Sequence, residues 1–399
     1  MSVDVTALRG HFPSLSHGLA FFDGPGGTQT PQPVADAIVA TLTGPLSNRG
    51  AVSVSELNAE RAVAEFRAAY ADLLGVRPEG VVHGRSATQL TYDFARHLAK
   101  SWRPGDEIVV SRLDHDSNVR PWIQQAERAG VAVHWIEFDT GSTELDLDSL
   151  RRVLSSRTRL VAVTAASNLV GTVPPVRQVA DLAHEAGALV YVDGVHYAAH
   201  HRVDVAELGA DLFVCSPYKF LGPHCGVLAG APELLETIAP DKLLPSPDTV
   251  PERFEFGTLP YEILAGATAA VDFLAGIDPG TGSTRRDRLT NSLASVHEHE
   301  SALRRRVEDG LRELGDEVTV YSRAAERTPT LLMSFAGRDA RDAQVHLAGR
   351  GVLAPAGSFY AYEPFAAMKL EAPALRVGVA PYTTAEEVDR LLAGLAAFL

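Results

Sequence analysis

YVDGVHYAAHHRVDVAELGADLFVCSPYKFLGPHCG, residues 191–226, is the stretch on which the fold turns. An apolar run at 188–192 reads as a strand and ends in an acid, Asp193. A second apolar run at 212–214 is followed by Ser216 and, twenty-six residues after that acid, by Lys219, and the turn closes on Gly222 and Pro223. A buried carboxylate and a lysine delivered in this way suit pyridoxal phosphate (PLP). The lysine amine holds the aldehyde covalently, and the carboxylate keeps the pyridine nitrogen protonated so that the ring can accept carbanion electrons.

Outward from this stretch, short strand-like runs alternate with helical patterns. Strands are predicted at 80–83, 107–110, 131–136, 159–164, 188–192, 212–214 and 227–229, and helices at 56–74, 88–101, 121–129 and 176–186, the last closed by Gly187. Such alternation predicts an α/β fold built on a mostly parallel seven-stranded sheet. A Gly/Pro-containing linker falls at 277–282. Beyond it come a charged helix over 285–314, strands near 318–321, 331–335 and 375–379, and a final helix from 384. The expected division is a large PLP-binding domain at 20–278 and a small α+β domain made of 279–399 joined by 1–19.

Bulk properties narrow the function class. The chain has 399 residues, 46% of them hydrophobic, and a formal net charge of −14 with no offsetting basic block, which argues against a nucleic-acid or anionic-membrane partner. Its two cysteines, Cys215 and Cys225, make neither a disulfide framework nor a zinc site, and no metal is expected; a reducing cytosol fits. No apolar stretch approaches a membrane span, and the opening MSVDVTALRGHF lacks the pattern of a secretory signal. No strand is followed by a GxGxxG turn and an acidic ribose partner, so a nicotinamide dehydrogenase is a weak rival.

The quoted run resembles the lysine-bearing segment of class V aminotransferases, the fold type I PLP enzymes that include cysteine desulfurases, isopenicillin N epimerase and cysteine-conjugate lyases. The resemblance extends from about residue 21 to 381 and is closest to a desulfurase-like branch with His in place of Gln, here in Asp193-Gly194-Val195-His196. It implies a set of roles. Lys219 holds the cofactor and serves as base, Asp193 pairs with the pyridinium, and His196 and Asn168 serve the ring 3'-oxygen. His115, in Leu113-Asp114-His115-Asp116-Ser117-Asn118, stacks over the ring and is a candidate acid–base group. Ala87 and Thr88, in a loop opening a helix, hold the phosphate with Ser216 and Tyr218, the latter standing where desulfurases usually have His. Thr258, in Phe254-Glu255-Phe256-Gly257-Thr258, reaches a partner's phosphate, which makes a homodimer with composite sites the expected assembly. Arg376 in an apolar strand clamps the substrate α-carboxylate through a two-bond fork. Arg49, in Asn48-Arg49-Gly50, and the loop at 23–28 are expected at the entrance, and Tyr360 on the substrate side.

The pattern breaks at one place. Desulfurases carry a nucleophilic cysteine on a mobile loop shortly before the carboxylate-binding arginine. Residues 351–361 here read GVLAPAGSFYA, and no cysteine follows Cys225. Cys225 either packs at a strand start or sits near the cofactor. Without a loop thiolate the persulfide route is closed, and what remains is chemistry at Cα and Cβ. The expected reaction is β-elimination across the C–S bond of cysteine or an S-conjugated cysteine, and relatives in this branch include biosynthetic enzymes acting on cysteine conjugates of natural products. Epimerisation, transamination and decarboxylation coupled to oxidative deamination are open to the same scaffold, as is a non-enzymatic PLP-binding role. Tyr360 and Tyr362 either line an aromatic entrance for a bulky conjugate or merely pack the loop.

Overall fold

The computed structural model describes residues 3–399, so Met1 and Ser2 of the expected 1–19 segment lie outside the described residues. Among the described residues the largest sheet has seven strands, in the spatial order Val81–Gly84, Gly226–Gly230, Leu212–Cys215, Leu189–Asp193, Thr158–Thr164, Glu107–Ser111 and Ala132–Ile136. The last five pair in parallel. Gly226–Gly230 runs antiparallel to both of its neighbours. The seven predicted strands are these seven, each displaced by a residue or two at its ends.

The strands read as continuous apolar runs because both faces of the sheet are covered. Alternate side chains go to opposite layers, as the two-residue repeat of a strand requires. Val190, Val192 and Phe213 join one core with helices Val54–Leu74, Val176–Glu185 and Tyr261–Ala275. Tyr191, Leu212 and Val214 join the other with helices Ala87–Ala99 and Arg120–Ala129. Helix Val54–Leu74 begins with a reciprocal capping box between Ser53 and Glu56 and stops at Gly75, whose φ of 71° suits glycine. Helices Gln32–Thr43 and Tyr261–Ala275 were not anticipated. The second, YEILAGATAAVDFLA, is apolar nearly all round, so it lacks the one-sided stripe that betrays a surface helix.

A second sheet is wholly antiparallel, ordered Ala356–Gly357, Ala374–Gly378, Thr330–Phe335 and Val318–Val320. Its apolar face, with Leu331, Met333 and Val377, packs on helices Arg285–Glu313, Ala340–Ala348 and Ala385–Phe398. The predicted 277–282 linker lies between helices Tyr261–Ala275 and Arg285–Glu313, the latter opened by a Thr284/Asp287 capping box. The N-terminal segment docks on the C-terminal part of the chain. Strand Ala20–Phe21 pairs in parallel with Val352–Leu353, and the Arg9 guanidinium lies 2.9 Å from the Glu387 carboxylate. Among the described residues no helix is long and apolar enough to cross a membrane, and no group of three or more His, Cys, Asp or Glu side chains is placed to hold a metal ion.

Candidate active site

Parallel strands Thr158–Thr164, Leu189–Asp193 and Leu212–Cys215 end level with one another, with Thr164 beside Asp193 and Asp193 beside Val214. The carboxyl edge of such a sheet is where an open α/β fold places its ligand crevice. Asp193, the last strand residue, is buried, and its Oδ1 accepts a hydrogen bond from the Val195 amide at 2.9 Å. Burial raises its pKa to about 6, against the pull of that amide and of Lys219. Gly194 must be glycine: a Cβ there would stand 1.8 Å from the ring of Phe213.

Lys219 closes a 3₁₀ turn, Pro217–Lys219, after strand Leu212–Cys215. Its ammonium donates to the Pro25 carbonyl and lies 5.2 Å from the centroid of the Tyr218 ring. Burial, then repulsion from Arg376, brings its pKa down to about 7, with Asp193 opposing. Asp193 and Lys219 line one cavity. A half-neutral amine facing a buried carboxyl is the pair that the sequence placed there.

One end of the cavity is a helix start. Ser86 caps helix Ala87–Ala99, its hydroxyl accepting from the Gln89 amide at 3.1 Å, and Ser86, Ala87 and Thr88 all line the cavity. The free amides and the positive end of a 13-residue helix make this an anion-binding end. Gly226 permits the arrangement, since a Cβ there would come within 2.3 Å of the Ser86 carbonyl carbon and 2.6 Å of the Ala87 nitrogen. Ser216 and Tyr218 line the same cavity, and the Tyr218 ring stacks on His224 at 4.8 Å.

The cavity is also lined by His115, Asn168 and His196. The Ser117 amide donates to His115 Nδ1 at 3.0 Å, so the ring proton is on Nε2. Burial, and then the charge of Lys219, pushes the His115 pKa down to about 4, and the ring is neutral. His196 Nε2 lies 3.0 Å from each of the Thr328 and Thr330 hydroxyls, and burial holds its pKa well below the usual value. Its Nδ1 has no hydrogen-bond partner among the described residues, and neither does Asn168 Oδ1. Asn168 Nδ2 donates to the Phe359 carbonyl at 2.9 Å. Arg376, 4% exposed, donates from Nη1 to the Asn168 carbonyl at 2.8 Å and lies 3.8 Å beneath the Phe359 ring. Its Nε is unpartnered among the described residues, and burial lowers its pKa to about 9 against the attraction of Asp23.

These groups fit PLP. An anion cradle, a buried carboxyl and a lysine share one cavity, and two of its lining residues hold orphaned polar atoms that a phenolic oxygen and its neighbours would satisfy. Nine of the ten residues expected to hold the cofactor line this cavity; Thr258 does not, and lies on a separate surface hollow with His83, Arg85 and Gln89. Arg49 is not at the cavity either: its guanidinium sits on Glu60 at 2.7 Å and on Glu252 at 3.4 Å. Tyr360 stands at the mouth, 80% exposed, its ring centroid 5.8 Å from that of His115.

Other contacts were not foreseen. The loop at 23–28, expected at the entrance, instead packs under the lysine. Pro25 accepts from Lys219, the Thr28 amide donates to the Tyr218 carbonyl at 2.9 Å, and a Cβ on Gly27 would sit 3.2 Å from the Tyr218 ring. The glycines of that loop were the available signal. Phe359 over Arg376 had none. Both cysteines are buried outside the cavity. Burial pushes the Cys225 thiol up to about 12 and holds Cys215 above the usual thiol range.

The family model described as Aminotransferase class-V matches residues 20–391. A probable cysteine desulfurase of Pseudomonas aeruginosa is 31% identical to this chain, over 97% of this chain and 96% of its own length. An aminotransferase-like protein of Gibberella zeae is 30% identical over 99% and 98%. Among solved structures, the cysteine desulfurase CsdA of Escherichia coli superposes with a TM-score of 0.88 at 26% identity, covering 100% of this chain and 98% of that one.

Proposed function

This chain belongs to the class V aminotransferase family, and from that premise we propose that it is a PLP-dependent lyase that breaks the C–S bond of an S-substituted cysteine by β-elimination. The observation that carries the reading is a cavity holding Lys219 and Asp193 together but neither of the two cysteines, whose thiols burial keeps protonated. A desulfurase needs a thiolate to take up sulfur; an eliminase needs only a base and an electron sink. PLP, when bound, supplies that sink at Cα.

On this reading Ser86, Ala87, Thr88, Ser216 and Tyr218 hold the phosphate, and Thr258 of a second subunit completes it in a homodimer. Asp193 keeps a proton on the pyridine nitrogen, His196 and Asn168 serve the 3'-oxygen, and His115 covers the ring. With the chain divided into a large unit of 20–278 and a smaller one of 279–399 with 1–19, every residue lining the cavity belongs to the large unit. Arg376, the buried guanidinium with a spare donor, takes the substrate carboxylate. Lys219, with a pKa near 7, removes the Cα proton; a base so poised acts at neutral pH. The C–S pair leaves on sulfur and is protonated to a thiol. Addition of water to the three-carbon remainder gives pyruvate and ammonium.

Incubating the holo-protein with S-alkyl and S-glycosyl cysteines, with and without oxygen, tests this by following pyruvate, thiol, CO2 and the visible spectrum together. Equal pyruvate and thiol without oxygen are expected. CO2 and an aldehyde formed only with oxygen would make the protein a decarboxylating deaminase, and alanine with persulfide from free cysteine would make it a desulfurase.

A further inference from the structure

The segment that replaces the loop thiol builds a groove of its own. Phe359 and Tyr360 are consecutive non-glycine residues with φ of 56° and 54°. A bulky side chain in the left-handed region is costly, and two in succession persist only where the surroundings hold them. Here the surroundings are backbone bonds to the active site: Phe359 accepts from Asn168 Nδ2 at 2.9 Å, and the Tyr360 carbonyl accepts from the Asp116 amide at 2.8 Å. The loop is thereby pinned across the cavity mouth with its rings divided. Phe359 covers Arg376, while Tyr360 and Tyr362 remain 80% and 65% exposed.

Tyr360, Tyr362, Phe359 and Ser358 line a groove of about 710 Å3 with Asp116 and Arg120. Its charges are neutralised internally. Arg120 pairs with Asp116 at 2.7 Å and with Glu363 at 2.9 Å, and Glu363 also holds Arg112 at 2.7 Å. The groove borders the cavity: Asp116 follows His115, a cavity residue whose ring lies 5.8 Å from that of Tyr360. Walls whose charges are paired with one another, exposed aromatic rings and a position just beyond the Arg376 carboxylate site favour a flat apolar occupant.

We infer that Tyr360 and Tyr362 form a subsite for the sulfur substituent, and that the substrate class is cysteine S-conjugated to an uncharged aromatic group. The inference rests on the lyase reading for its substrate but not for the subsite. An amino acid held at Arg376 and Lys219 directs its side chain past His115, and an aryl group on sulfur then lies between the two tyrosines.

The test compares S-benzyl-L-cysteine with S-methyl-L-cysteine in wild-type holo-protein, Tyr362→Ala and Tyr360→Asn. Asparagine tolerates the left-handed backbone at 360, and Tyr362 begins a helix on the surface, so both variants keep the fold. Calorimetric dissociation constants are measured on the same three proteins carrying Lys219→Ala, which binds without turnover, and kcat/KM on the active forms. The expected result is S-benzyl binding about tenfold or more tighter than S-methyl, with the preference cut several-fold by each substitution and S-methyl affinity unchanged. Equal affinity for the two ligands, or a preference that survives both substitutions, overturns the subsite. So does a change in sedimentation with the preference intact, which would assign the rings to a contact between two copies. Tyrosine-dependent binding without pyruvate from any thioether would sink the lyase reading alone.

Discussion

The floor and the mouth of the cavity are built on opposite principles. The floor consists of strand ends in register, buried and tightly packed, with glycines at 194 and 226 where a single carbon would collide with Phe213 or with the start of helix Ala87–Ala99. The mouth is a loop with two bulky residues at positive φ and two tyrosines in solvent, held by hydrogen bonds to its backbone and by the one ring, Phe359, that packs inward. Rigid regular elements fix reactive groups to fractions of an ångström, whereas loops can change what they admit without moving them. On the proposed reading the floor carries the chemistry and the mouth carries the choice of substrate.

Substitutions that separate these duties break the comparison if it is wrong. Lys219→Ala has the largest expected effect. Turnover should fall at least ~100-fold, and borohydride treatment should no longer leave the cofactor mass on the peptide containing residue 219, as read by mass spectrometry. Ligand preference at the mouth should be untouched. Normal turnover in this variant would remove Lys219 from the chemistry.

Arg376→Lys comes next, because Arg376 belongs to both regions: its Nη1 bonds the Asn168 carbonyl while Phe359 covers its face. Lysine keeps the charge and loses the planar fork and the stacking. KM for every cysteine thioether should rise by ~10–100-fold, the loss of a charge-assisted hydrogen bond worth about 1.5–3 kcal/mol, while kcat changes less. A rise confined to aryl substrates would instead place Arg376 with the mouth.

The same contrast decides what could be read from sequence. The strands of the large sheet were legible because burial on both faces leaves continuous apolar runs, and the reactive residues stand where those runs end. Asp193 and Lys219 could thus be singled out without coordinates, and seven further expected contacts gather round them. Contacts across long separations left no periodic mark. Pro25 reaches Lys219 from the loop at 23–28, Thr328 and Thr330 meet His196 where the smaller antiparallel sheet approaches the larger one, and Phe359 meets Arg376 within the neighbourhood of the smaller sheet. Arg49 was read from a short Asn-Arg-Gly motif, and Glu60 and Glu252, distant in sequence from each other, hold it. Phe359 and Tyr360 carry no glycine or asparagine to announce their left-handed backbone, so the mouth was visible only as the absence of cysteine and as two tyrosines with either an entrance or a packing role.

The smallest expected effect is a shift in pH dependence, and it isolates the floor. In cofactor-free protein the Lys219 amine must be neutral to capture PLP. Burial, reinforced by Arg376, holds its pKa near 7, below the ordinary lysine value. The capture rate, followed by stopped-flow absorbance, should therefore level off above about pH 7, where the amine of Nα-acetyl-lysine is still mostly protonated and its own rate still climbs. Below that pH it should fall with the neutral fraction, roughly tenfold per unit. Removing a nearby positive charge makes protonation easier, so Arg376→Ala should move the inflection to higher pH. Asp193→Asn removes the carboxylate that favours the ammonium and should move it lower. Tyr362→Ala, a mouth substitution outside the cavity, should leave it in place. An inflection that stayed near that of the free amine in all four proteins would mean that the lysine is solvated, and that the floor is no more enclosed than the mouth.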